Sequence, residues 1–153
     1  IINKEEVIFP RNTPSWCYSE LGVLHAIIQS TQILKFNFLS TLFKEQLKSI
    51  IQDKNNYKII SPNFCHGYSG IFVFARLYEV SSKELNGFLL EQIEFFYDHE
   101  CLSIFYDQYY NLSGEICSDA SYSFLDGSIS VLLSLLFVEG YNTVIWEEML
   151  LLK

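Results

Sequence analysis

The chain has 153 residues, half of them apolar, and its 18 acidic side chains outnumber 10 basic ones for a formal net charge of −8 at pH 7. This length fits one domain with ample core material, and the acidity, without any basic stripe interleaved with aromatics, excludes nucleic acid as a partner. No segment approaches the roughly 18 consecutive apolar residues of a membrane-spanning helix, since Ser134 interrupts even the most apolar stretch, Val131 to Val138.

In chain order, Ile1-Ile2-Asn3-Lys4 shows neither an initiator Met nor a signal-peptide layout and reads as a chain already under way. Residues 22–33 carry Val23, Leu24, Ile27 and Ile28 at helical spacing. An amphipathic helix follows over 38–52. Its stripe is Leu39, Leu42, Phe43, Leu47, Ile50 and Ile51, with Lys44, Glu45 and Lys48 opposite. Residues 68–80 predict a uniformly apolar helix. Ser82 then caps an amphipathic helix over 83–97. The segment from His99 to Ser123 is ambiguous, its Ile104-Phe105-Tyr106 run reading as a short strand or a packed loop. A third apolar helix spans 127–138, and a closing amphipathic turn or helix runs from Thr143 to Leu152.

Apolar helices therefore alternate with amphipathic ones, at a recurrence of about 50 to 60 residues. A helix apolar all round is buried, whereas an amphipathic one faces solvent. The pattern predicts an all-α fold with apolar helices inside, as an open solenoid or a closed double ring.

The loops before the apolar helices repeat. Pro14-Ser15-Trp16-Cys17-Tyr18-Ser19-Glu20-Leu21-Gly22 aligns with Pro62-Asn63-Phe64-Cys65-His66-Gly67-Tyr68-Ser69-Gly70, and a degenerate copy, Ser123 to Ser130, has Leu125 in place of the cysteine. Equivalent loops project at one end of a repeat assembly, so Cys17, Cys65 and His66 are expected to converge. Two thiols and one imidazole make a three-ligand zinc site with one position open. A helix N-terminus favours the thiolate that a metal requires. The alternative is two buried thiols and a capping histidine.

Four cysteines do not make a disulfide framework, and a reducing, cytoplasmic setting fits them better. Cys101 and Cys117 read as ordinary core or loop thiols, and Asp107 and Asp119 as solvated loop carboxylates. Trp16 and Phe64 read as packing for the ligand loops. His25 is a candidate polar group of the cavity or a packed histidine; His99 carries no assigned role.

The blocks Ser15-Trp16-Cys17-Tyr18, Cys65-His66-Gly67-Tyr68-Ser69-Gly70 and Leu125-Asp126-Gly127, with the Trp146 and Met149-Leu150-Leu151-Leu152 ending, resemble the signatures of the lanthionine synthetase C-like family. The resemblance implies an α/α toroid, a double ring of inner and outer helices. Residues 1–153 would be its C-terminal part, a partial ring of about three helical hairpins. It implies zinc on Cys17, Cys65 and His66. It also implies a cytoplasmic peptide cyclase of lantibiotic biosynthesis, in which a peptide cysteine adds to dehydroalanine or dehydrobutyrine and closes a thioether ring.

The implied partners are a dehydrated precursor peptide, a dehydratase and transporter complex that would bring the chain to the membrane periphery, and the missing N-terminal half of the barrel or another chain. Some departures stand out. Ser19 and Ser130 replace family glycines, and Arg11 is offset from a family arginine, Thr13 occupying its spacing. Family members are more than twice as long, and their upstream acid-base residues have no counterpart here. A non-catalytic module binding zinc, glutathione or another thiol is the alternative function, and an unmetallated helical repeat a third.

Overall fold

The computed structural model describes residues 14–17, 19–100, 104–141, 146, 148 and 150. Arg11, Thr13, Tyr18, Cys101 and most of the expected closing helix lie outside that set. Among the described residues the helices are α1 (Glu20–Ile33), α2 (Asn37–Gln52), α3 (Tyr68–Leu77), α4 (Lys83–Glu94) and α5 (Ser128–Val138), with a 3-10 turn at Lys54–Asn56. Two strands, β1 (Tyr106–Tyr110) and β2 (Ile116–Ala120), pair antiparallel with Tyr106 opposite Ala120. The chain is thus mostly helical rather than all-α.

Caps explain where the helices begin and end. The Ser19 hydroxyl accepts the Leu21 N–H at 3.2 Å, so α1 starts ahead of Gly22, with Glu20 in the favourable first turn. Ser82 caps α4 in the same way, accepting from Leu85 at 3.1 Å. The three helices that follow the repeated loops also share a terminator. After α1, Lys35 sits at φ 61°, its N–H reaches the Gln32 carbonyl and the Phe36 N–H reaches Thr31. Glu79 and Val80 repeat this after α3, and Gly140 and Tyr141 after α5. This is the left-handed closure that usually favours glycine.

The expectation of buried apolar helices holds best for α3, whose residues 68–75 are all buried, although Arg76 is exposed and the helix ends at Leu77, short of the expected 80. Around it lie Leu21, Leu24 and Ile28 of α1, Leu47 and Ile51 of α2, Leu85, Leu89 and Ile93 of α4, and Val131 of α5. By contrast α1 and α5 are buried on one side only. Ile129, Leu132 and Leu136 line an exposed face of α5, and Val23, Ile33, Phe38 and Leu42 are exposed on α1 and α2. In the N-terminal half of the expected α2 stripe, Leu39 and Leu42 are therefore exposed, while Phe43 packs against the core.

The hairpin replaces the segment that was ambiguous in sequence. Asn111 closes its turn, its side chain accepting from Ser113 and Glu115 N–H groups at 2.9 Å each, with Gly114 at φ 79°. Main-chain bonds fix its base to the end of α4: Tyr106 N–H to Phe96 O and Asp98 N–H to Ile104 O, both at 2.9 Å.

Candidate metal centre

The three repeated loops lie side by side at the N-terminal ends of α1, α3 and α5. The Cys17 N–H donates to the Cys65 carbonyl at 3.4 Å, and the Cys65 N–H donates to the Leu125 carbonyl at 3.2 Å. Each loop thus hangs on the next through the same residue. Their interiors also match. The N–H of Tyr68 meets the Ser61 carbonyl at 3.0 Å, as Ser128 meets Ser121 at 2.8 Å. The hydroxyls of Ser61 and Ser121 accept from Asn63 and Ser123, at 3.2 Å in both loops.

Close approach explains the glycines. A Cβ on Gly70 would lie 2.1 Å from the Phe64 carbonyl oxygen, and one on Gly22 would lie 1.8 Å from that of Trp16. Ser130 takes the equivalent place in the third loop, and its hydroxyl accepts the Phe64 N–H at 3.1 Å. Ser19 stands where the other loops have Gly67 and Gly127, and its hydroxyl bonds the Ser15 N–H and carbonyl at 2.6 Å each. Both serines are accommodated as local hydrogen-bonding groups.

This stacking brings together the residues that the sequence singled out. The sulfurs of Cys17 and Cys65 and a ring nitrogen of His66 all lie within 4.8 Å of one another. Cys17 is exposed, Cys65 buried and His66 half-buried. The two cysteines are paired here as a disulfide with Cα atoms 5.7 Å apart, where the sequence led us to expect two thiols. Two adjacent loops that share a main-chain hydrogen bond leave their Cβ atoms near enough for either state. In the reduced state the donor set, two thiolates and one imidazole, fits a zinc ion with a position left over. Phe64 is fully buried behind it, with Trp16 at 5.7 Å and Trp146 at 5.1 Å between ring centroids.

Several groups around His66 were not legible in sequence. The Asn63 carbonyl oxygen Oδ1 accepts the His66 N–H at 2.9 Å, while Asn63 Nδ2 lies 3.1 Å from His66 Nε2 and donates to Asp107 Oδ1 at 3.0 Å. The Ser61 hydroxyl donates to the same Asp107 oxygen. Asp107, expected to be solvated, is buried because the hairpin turns it inward, whereas Asp119 is exposed as expected. Burial pushes the Asp107 carboxyl above its ordinary 3.8, against the lowering pull of Ser61, His66 and Asn63. Asp126, which takes the His66 position in the third loop, places Oδ1 3.8 Å from His66 Nδ1.

The remaining candidates lie elsewhere. His25 is packed between α1 and the end of α3, with Nδ1 2.7 Å from the Tyr78 hydroxyl and its ring edge-on to Phe74 and Tyr78. Cys117 is a free, half-buried thiol on β2, and His99 is exposed beside Tyr97.

The family profile for lanthionine synthetase C-like proteins matches residues 3–151, nearly the whole chain. The chain belongs to the lanthionine synthetase C-like family. The match spans all three repeated loops and the hairpin, so the loop system just described is part of a family domain. None of the curated proteins compared matches this lanthionine synthetase C-like chain. Among its described residues no helix is long and apolar enough to cross a membrane.

Proposed function

We propose that this chain carries the zinc site of a peptide cyclase that forms lanthionine and methyllanthionine rings. The carrying observation is the convergence of Cys17, Cys65 and His66 from two stacked repeat loops in a family that includes cyclases. The three side chains would hold the ion. When bound, zinc supplies a Lewis acid that lowers the pKa of a substrate thiol and keeps its thiolate in place.

In the net reaction a peptide cysteine sulfur bonds the β-carbon of dehydroalanine or dehydrobutyrine. The alkene becomes a single bond, the α-carbon takes up one proton, and mass is unchanged. In this reading the peptide enters from the exposed Cys17 side, and Phe64 and Trp16 pack against each other beside the donor set. The same proposal includes the toroid, with residues 1–153 as its C-terminal part. Its support is the loop-to-loop hydrogen bond, which passes from Cys17 to Cys65 to Leu125 as a ring of inner helices requires.

The test is a dehydrated precursor peptide incubated with the zinc-loaded parent protein. Free peptide thiol should disappear with no change of mass, and Cys65→Ala should abolish the loss. An unchanged rate in Cys65→Ala would sink the zinc mechanism. A cobalt-substituted protein whose spectrum responds to glutathione, while the peptide keeps its thiols, would identify a thiol-binding module instead.

A further inference from the structure

The hairpin between α4 and α5 buries a single side chain from β1, and that side chain is a carboxylate. Asp107 is 8% exposed, whereas Tyr106, Tyr109 and Tyr110 on the same strand are exposed. A buried carboxylate costs several kcal/mol unless hydrogen bonds compensate it. Its compensation comes entirely from the second ligand loop, through the Ser61 hydroxyl and the Asn63 amide. Asn63 is fully buried and has no freedom to turn, because its Oδ1 is held by the His66 N–H and its Nδ2 by Asp107. The same Nδ2 meets the His66 ring at Nε2, and the free Asp107 oxygen, Oδ2, stands 3.9 Å from that nitrogen. The Asn63 amide thus holds the main chain of His66 through Oδ1 and the Asp107 carboxylate through Nδ2, which places that carboxylate on the Nε2 side of the His66 ring. Groups of this kind orient ligating imidazoles in metal sites and commonly change metal affinity by about 10- to 100-fold.

We propose that Asp107 is a positioning residue, delivered by the hairpin and anchored by Ser61 and Asn63, whose Oδ2 is the acceptor for the His66 Nε2–H and so fixes the imidazole for a metal held on its other nitrogen with Cys17 and Cys65. This rests on the zinc reading above. The third loop shows what the arrangement adds. There Ser123 accepts the Asp126 N–H at 2.9 Å, as Asn63 does for His66, but serine carries no amide N–H to extend to the hairpin carboxylate. Among the described residues, the amide arm that reaches the hairpin is that of Asn63, in the loop that supplies an imidazole.

The experiment compares reduced wild type, Asp107→Ala, Asp107→Asn and Cys17→Ala by zinc competition with a chromophoric chelator, cobalt absorption spectra, metal-free melting, and imidazole NMR of His66. Asp107→Ala should weaken zinc binding about 10- to 100-fold, shift the cobalt bands and move the His66 ring resonances in metal-free protein. Asp107→Asn, which keeps an acceptor for Asn63 but none for the ring N–H, should restore metal-free melting without restoring the affinity. Wild-type zinc affinity and an unchanged cobalt spectrum in Asp107→Ala would overturn the proposal. So would an affinity loss matched by the drop in metal-free melting with no spectral change. Absence of zinc from wild type would instead refute the zinc reading. The His66 resonances then judge the positioning role alone, and unmoved signals in Asp107→Ala would reject it.

Discussion

A sulfur in a disulfide has no negative charge to give a cation, so Cys17 and Cys65 serve either as a cystine or as two metal-bound thiolates. Their Cα separation of 5.7 Å suits the first, and the nearby His66 nitrogen suits the second. We expect glutathione disulfide to convert the reduced, metal-free pair to cystine with release of two glutathiones, abolishing zinc uptake. Preloaded zinc should slow that conversion, and thiol counting with mass spectrometry would register it. Equal oxidation rates with and without zinc would mean the pair is not the metal's ligand set.

Tyr57 offers a residue-scale test of packing. Burial, then the charges of Asp53 and Tyr68, push its phenol well above the ordinary 10.0 while its hydroxyl donates to the Ile51 carbonyl. A folded pKa above the unfolded one means full stability below about pH 10, lost as pH rises through that value towards the folded one. Wild type should therefore lose melting temperature steeply above pH 10. Tyr57→Phe should start about 1 kcal/mol lower at neutral pH and fall less steeply. Parallel curves would contradict the assignment.

At the scale of elements, the repeat explains both the tight packing and what could be read in advance. Gly70→Ala puts a methyl 2.1 Å from the Phe64 carbonyl oxygen and should cost about 2–4 kcal/mol by chemical denaturation. Gly87, inside α4 with nothing within 4 Å of its added Cβ, supplies the opposite case. Gly87→Ala should gain about 0.5–1 kcal/mol from helix propensity.

The helices were legible because apolar spacing and caps such as Ser82 are local signals. The cysteine loops were legible because Cys17 and Cys65 occupy equivalent places in a repeat. The hairpin was not, since β1 and β2 are exposed almost throughout and carry no apolar alternation. The burial of Asp107 depends on tertiary contact with Ser61 and Asn63, far away in sequence, and no local pattern encodes it.

At the scale of the molecule, one end gathers the three loops, while apolar side chains stand exposed on α5 at Ile129, Leu132 and Leu136, and on α1 and α2. The sequence pattern predicted α1 and α5, though not the amphipathic α2, to be buried all round. The exposed faces accord with our proposal that residues 1–153 are part of a larger ring, because such faces are unfavourable in water. One metal held by two separate repeats underlies both proposals.

X-ray absorption at the zinc edge of the reduced, zinc-loaded protein tests that claim most directly. One zinc per chain is expected, with two sulfurs at about 2.3 Å and an imidazole nitrogen at about 2.0–2.1 Å. Cys17→Ala and Cys65→Ala should each remove one sulfur or the metal itself. A zinc shell without sulfur, or no bound zinc, would contradict it.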